Sequence, residues 1–365
     1  MTRESRSNEV VGRELWVSQI DPRSSAARAL AGYGIPHLTV RIAGGARLLK
    51  KLGRQAGHEP MPLLVDERGV EASGEAVLRR LTAISERPLF PEEEGRLLVW
   101  LVAHYFDEWV YRAVLHSRWR HRRDSEEAEA ALGDEWIGSL PWGHQWMGKV
   151  VRRYQRGRRR AMGLEPENDD ALEESMYRLL VALEELLSGE GPYLFGGHPT
   201  VADFTAYGAL IQFRTDPTGR ARLASHQAIH RYVDRMDAMA ARPATVEVVQ
   251  RPAVSVERFG ALVAEVMATL WPLMIQNQRA QEFDRSSLVI ELADGHRFRC
   301  HPTPVLGRRL EHVLAGIGAA YERQPDLFGV AGLHLERAVM DGVARLCATP
   351  GGRRLLRKYP RLAKR

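Results

Sequence analysis

Residues 61–81, MPLLVDERGVEASGEAVLRRL, combine residue types and spacing that display main-chain hydrogen-bonding groups to a ligand. Proline lacks an amide donor, so Pro62 suits the first residue of a strand built on the apolar run 63–65. An X-Pro bond adopts the cis form far more readily than any other peptide link. A cis Met61-Pro62 bond at that point leaves the Met61 amide and carbonyl unpaired and facing a cleft. Asp66-Glu67-Arg68-Gly69 then turns the chain, Val70 resumes it, and a helix begins near Ser73.

Other polar constellations say less. Thr200-Val201-Ala202-Asp203 has capping-box spacing ahead of the apolar run 204–210, which makes Asp203 a helix cap rather than a catalytic acid. His104 and Glu108 share a helix face, but no third metal ligand accompanies them. Gly316 and Gly318 lack the third glycine of a dinucleotide fingerprint, and the only cysteines, Cys300 and Cys347, exclude a Cys-x-x-Cys redox centre.

The elements that position residues 61–81 follow from the preceding segment. LWVSQI at 15–20 has strand composition, Asp21-Pro22-Arg23 turns, 24–31 is an Ala-rich helix ended by Gly32-Tyr33-Gly34-Ile35-Pro36, and LTVRI at 38–42 is a second strand. The order is βαβ, then ββα. Residues 1–12 read as a tail, 13–85 as this α/β domain, and Arg87-Pro88-Leu89-Phe90-Pro91 as a linker, since two prolines disfavour helix. From 92 the period becomes helical, with Leu97, Leu98, Leu101 and Val102 on one stripe, and helices are predicted at 169–187 and 226–239 within a domain spanning 86–240. A third, α+β unit spans 241–365: a long helix at 256–280, a hairpin near 287–300 turning at Asp294-Gly295, and helices at 306–320 and 333–347.

Composition narrows the class. With 44% hydrophobic and 27% charged residues in 365, the chain is ordinary for a globular protein. The longest apolar candidate, 259–275, contains Glu265 and Pro272 and is too short to span a bilayer comfortably, while MTRESRSNEVVG has no secretory apolar core. Two cysteines fit a reducing cytoplasm. The net charge of +6 is concentrated in 149–160 and 353–365, with acids rich in 165–185. Trp142, Trp146 and Tyr154 beside the first run give it the look of a nucleic-acid surface; cations three or four apart on a helix more simply form a solvated face, which is the preferred reading.

The βαβ–ββα order with Met61-Pro62 resembles the glutathione-binding half of the thioredoxin-like domain in glutathione transferases, and PYLFGGHPTVADFTAYGAL at 192–210 resembles the capped core helix of their all-helical second domain. Tyr105-Phe106-Asp107-Glu108-Trp109 and His116-Ser117-Arg118-Trp119 resemble a bacterial subgroup with a long C-terminal extension; the likeness covers 15–240 and the extension only loosely. The resemblance implies a thioredoxin-like domain, an all-α domain and an α+β extension. It also implies glutathione as cosubstrate, a small hydrophobic electrophile, no metal, and a cytoplasmic homodimer. In that family the backbone before the proline pairs with the cysteinyl unit like an added strand, and the γ-glutamyl carboxylate sits at the next helix N-terminus.

The resemblance assigns site residues, with departures. Family members place Ser, Tyr or Cys just after the first strand to stabilise the thiolate, but gap-free counting puts Ile20 or Asp21 there. Ser24, at the mouth of the first helix, and Ser18 are the nearby hydroxyls; Ser24 or Asp21 as a simple N-cap is the competing reading. Met61, Pro62, Ser73 and Gly74 would hold glutathione; the usual acid or Gln before Ser is missing in either alignment frame, and Glu75 opposes an anion. Tyr105, Trp109, Arg112 and His116, spaced along one face, would line the electrophile's cleft or simply pack. These departures motivate an alternative: a non-catalytic scaffold or binding module on the same fold.

Overall fold

In the computed structural model, described residues are 13–42, 61–71, 74–91, 95–137, 157–189, 191–241, 259–292, 294–323 and 333–363. Ser73, Trp142, Trp146 and Tyr154 lie outside them.

Strand β1 (Glu14–Val17) buries Leu15 and Val17 and exposes the alternate face less fully, as a half-covered strand should. It pairs in parallel with β2 (Thr39–Ile42) and antiparallel with β3 (Leu63–Asp66), which turns back into β4 (Gly69–Glu71), giving the order β2-β1-β3-β4. The turn needs glycine, because Gly69 has φ +113°. Asp66 fixes it, accepting the Arg68 amide at 2.8 Å and the Arg80 guanidinium at 2.6 Å. The Met61-Pro62 bond at the entry to β3 is cis. Helices α1 (Pro22–Gly34) and α2 (Gly74–Ile84) accompany this mixed sheet, completing a thioredoxin-like unit.

The remainder is mainly helical. α3 (Arg96–Tyr105) runs through a π-helical turn, Phe106–Val110, into α4 (Tyr111–Arg120), followed by α5 (Arg122–Ile137), α6 (Asp169–Leu187), α7 (Val201–Thr215), α8 (Pro217–Leu223) and α9 (Gln227–Ala241). The capping box ahead of α7 is present, and Asp203 exceeds it: its carboxylate accepts the Thr200 amide and hydroxyl and the Leu194 amide, each at 2.8 Å, and the Tyr232 hydroxyl at 3.2 Å. The C-terminal unit contains α10 (Gly260–Glu282), the hairpin β5 (Leu288–Glu291) and β6 (Arg297–Cys300), α11 (Pro304–Arg323), α12 (Leu333–Cys347), α13 (Pro350–Leu356) and α14 (Pro360–Ala363). Among the described residues no helix is long and apolar enough to cross a membrane.

Two of the seams between units are set by Asn168 and Gly208. Asn168 stitches the hairpin to the helical unit, donating to the Gly163 and Arg299 carbonyls at 2.7 Å and accepting the Arg299 amide at 2.8 Å. At the other seam α1 lies on α7 at Gly208, where a Cβ would stand 2.3 Å from the Pro22 carbonyl oxygen and 2.8 Å from the Ala26 amide. Main chain cannot retreat as a flexible side chain can, so Gly208→Ala is expected to destabilise by about 1–3 kcal/mol through overpacking, read as a lower urea midpoint at unchanged slope.

Candidate functional site

The loop after β1 is held from the helical unit at almost every polar group. Asp21 caps α1, accepting the Ser24 amide at 2.8 Å, and its other oxygen accepts the Tyr111 hydroxyl at 3.1 Å. Ser18 donates to Glu135 at 2.7 Å, and the Gln19 amide donates to the same carboxylate at 2.7 Å. Burial pushes the Glu135 carboxyl above its ordinary range, partly offset by those two donors. Gln212 reaches the Gln19 carbonyl at 2.8 Å and the Ser25 hydroxyl at 2.9 Å, and Arg118 donates to the Ile20 carbonyl. Asp21 is therefore the N-cap, and Ser18 is bound to a carboxylate. Ser24, in the first turn of α1, is fully buried, and its hydroxyl has no partner among the described residues.

At the entry to β3, no described residue hydrogen-bonds to the Met61 main chain. Gly74 opens α2, and the Arg23 side chain lies directly on it: a Cβ there would stand 2.5 Å from Arg23 Cδ. Glu75, buried in the first turn, is matched by Arg79 at 3.4 Å and by Arg308 of α11 at 3.5 Å, so the acid expected to oppose an anion carries its own counter-ions.

Arg23 leads into a buried charged cluster. Its guanidinium donates to the Asp107 carbonyl at 2.9 Å and the Asp107 carboxylate at 3.1 Å, pairs with Glu108 at 3.3 Å, and lies 4.2 Å from the centre of the Tyr111 ring. Arg112 meets Glu108 at 2.5 Å, and Arg309 of α11, 0% exposed, reaches Glu108 at 3.1 Å and also bonds Asp107. Burial alone would raise the Glu108 carboxyl, but Arg112, Arg309 and Arg23 together hold it at about 2. Asp107 shares the cluster; there burial raises the carboxyl against the pull of Arg23 and Arg309. Both acids sit in the π-helical turn, where i→i+5 bonding adds a residue to the turn, and both meet Arg23 and Arg309.

The four residues expected to line an electrophile cleft are brought together on one face, and that face is covered. Trp109 donates to Ser175 of α6 at 2.7 Å and lies edge-on to Phe298 of β6 at 4.8 Å; Arg112 donates to the Met162 carbonyl at 3.1 Å; His116 stands 3.1 Å from Asp169. Tyr105 is fully buried beside Phe106. The C-terminal hairpin and α6 thus contact the stripe, which a reading of the first two units by themselves does not include. His104, considered with Glu108 for a metal, instead bonds Arg309 at 2.8 Å and His312 at 2.9 Å.

Arg23, Glu135, Asp107 and Arg309 are not singled out by the sequence as site residues, and Glu108 enters there only beside His104. One signal was available: two adjacent acids inside LVWLVAHYFDEWV, an apolar run that cannot bury them without cations from elsewhere.

A mixed four-stranded sheet entered through a cis proline, joined to an all-helical unit with a capped core helix, defines a thioredoxin-like protein with a helical second domain. Residues 159–235 match the family model of the glutathione S-transferase C-terminal domain. The match lies within the helical unit, and that part of the chain is similar to the second domain of glutathione transferases. No curated protein matches it. Overlapping solved structures include a GST-like protein from Pseudomonas syringae, 14% identical over 62% of this chain and 67% of that one, with TM-score 0.45. Another is the β-etherase LigF from Sphingobium sp. strain SYK-6, 16% identical over 62% and 95%, with TM-score 0.42. A third is glutathione transferase GSTFuA3 from Phanerochaete chrysosporium, 14% identical over 63% and 98%, with TM-score 0.44. Overlaps of this size carry no argument about chemistry.

Proposed function

We propose that the protein is a cytoplasmic glutathione-dependent transferase or lyase that adds the glutathione thiolate to a small hydrophobic electrophile. In this reading the cysteinyl unit pairs with the Met61 main chain beside Pro62, and the γ-glutamyl carboxylate is received by Ser73 and the Gly74 amide at the start of α2. The Ser24 hydroxyl donates to the sulfur, aided by the N-terminal field of α1. Ser18 takes a supporting place, holding the loop through Glu135. Tyr105, Trp109, Arg112 and His116 support the groove from behind rather than touching the electrophile, and two copies would pair across their two domains as family members do. The carrying observation is the pairing of two unpartnered donors: the Met61 main chain and the Ser24 hydroxyl lack hydrogen bonds to any described residue.

Glutathione, and S-methylglutathione as a non-nucleophilic control, should raise the melting temperature by mass action. Conjugation of an aryl halide should follow, and Ser24→Ala should slow turnover by about 100-fold with little change in glutathione KM, because a donor to the developing thiolate is lost. Folded protein that shows neither a thermal shift nor conjugation at millimolar glutathione would remove this reading.

A second reading, a non-catalytic binding module, is favoured by a specific observation: Arg23 covers Gly74, and Glu135 holds both Ser18 and the Gln19 amide. A thermal shift without conjugation in any electrophile class would support it over the transferase.

A further inference from the structure

We propose that α11 is docked across both domains by an acid-sensitive latch, the contact between His104 on α3 and His312 on α11. The geometry starts from consecutive arginines. Arg308 reaches Glu75 in the thioredoxin-like unit at 3.5 Å, while Arg309 enters the helical unit to pair with Asp107 and Glu108. One turn on, His312 Nδ1 lies 2.9 Å from His104 Nε2, and Arg309 stands 2.8 Å from His104 Nδ1.

These distances fix the protons. A guanidinium only donates, so His104 Nδ1 accepts from Arg309 and the His104 proton resides on Nε2. Nε2–H then donates to His312 Nδ1, which must be unprotonated. A proton added at His312 Nδ1 would face the His104 N–H, and a proton added at His104 Nδ1 would face the Arg309 guanidinium. Either addition replaces a hydrogen bond with a donor–donor clash. The surroundings do not compensate: Arg309 and Arg308 on α11, Arg79 on α2 and Arg96 on α3 are cationic, and among the described residues the acid that acts on His312 is Glu75, itself shared between Arg79 and Arg308. Trp100 stacks on His104 at 5.6 Å and meets His312 edge-on at 4.8 Å, which closes the pair from the side.

Burial, then Arg309, lowers the His104 imidazole well below its ordinary value, and burial with Arg79 lowers His312 to about 4. The docked state thus binds fewer protons than the released one. Its docking strength is complete above the ordinary histidine value of about 6.5 and declines as pH falls towards the docked value. For His312 alone, docking at pH 5 should be roughly 30-fold weaker than at pH 7.5. Release would free Arg308 from Glu75 and Arg309 from the Asp107–Glu108 turn. That such release opens the groove to a thiol rests on the reading above; the latch itself does not.

The test is hydrogen exchange on the full chain without glutathione, corrected for the intrinsic pH dependence of exchange. Protection of 304–323 should fall at least tenfold between pH 7.5 and 5, while 201–215 keeps its protection. His312→Gln, whose amide oxygen still accepts from His104 but does not titrate, should abolish most of that pH dependence. Should this variant misfold, imidazole 15N spectra of the wild type replace it: His104 must show the Nε2–H form, and His312 must titrate below pH 5.5. Unchanged protection of 304–323 at pH 5, its loss together with 201–215, wild-type behaviour in His312→Gln, or a His104 Nδ1–H form would each overturn the latch. Because no glutathione is present, these outcomes are independent of the glutathione thermal shift.

Discussion

Replacing Glu108 by alanine is expected to cost about 3–5 kcal/mol of folding stability, seen as a lower urea midpoint. Glu108 serves Arg112, Arg309 and Arg23 at once, and all four side chains are buried. Among the five charges of the cluster, three guanidiniums face two carboxylates; removing Glu108 leaves the three on Asp107 alone. The lowering of the Glu108 carboxyl from 4.5 to about 2 gives a similar size, roughly 3 kcal/mol at neutral pH. Its sign is that of a depressed acid: the contribution is present above pH 4.5 and is lost as pH falls through the folded value near 2. Arg309→Met in the Glu108→Ala background should cost less than the sum of the two single changes, since it returns the cationic excess from two to one. Strict additivity would show that the cluster is not electrostatically coupled.

Asp203→Ala should be the next most damaging change, at about 2–4 kcal/mol. It removes Asp203's half of the α7 capping box and strands the buried Leu194 and Thr200 amides, while the Tyr232 hydroxyl keeps the Asp203 main-chain carbonyl at 3.0 Å. Asp203→Asn should recover part of this, because one carbonyl oxygen still accepts. A loss below about 1 kcal/mol would mean that water replaces the carboxylate in place, and calorimetric Tm values for the two variants decide the point.

What could be read from the sequence was local. Pro62 at a strand entry, Gly69 in a tight turn, Thr200 and Asp203 around a cap, and the hairpin at Leu288–Glu291 and Arg297–Cys300 obey rules that act within a few residues. The site's polar network was not local. Arg23 meets Asp107 across 84 residues, Ser18 meets Glu135 across 117, and Arg309 meets Asp107 across 202. No periodicity carries such pairings. The π-helical turn at Phe106–Val110 also breaks the 3.6-residue period on which Tyr105, Trp109, Arg112 and His116 are placed, and the contacts of Trp109 with α6 and β6 lie far away in sequence.

The Gly208 seam sets how this molecule can move. With the first turn of α1 resting main chain to main chain on α7, there is no side chain at this point to yield when the two helices shift against each other. For the proposed transferase, entry of glutathione would then fall to Arg23 and to α11 with Arg308 and Arg309, which meet the thioredoxin-like unit or the charged cluster through side chains.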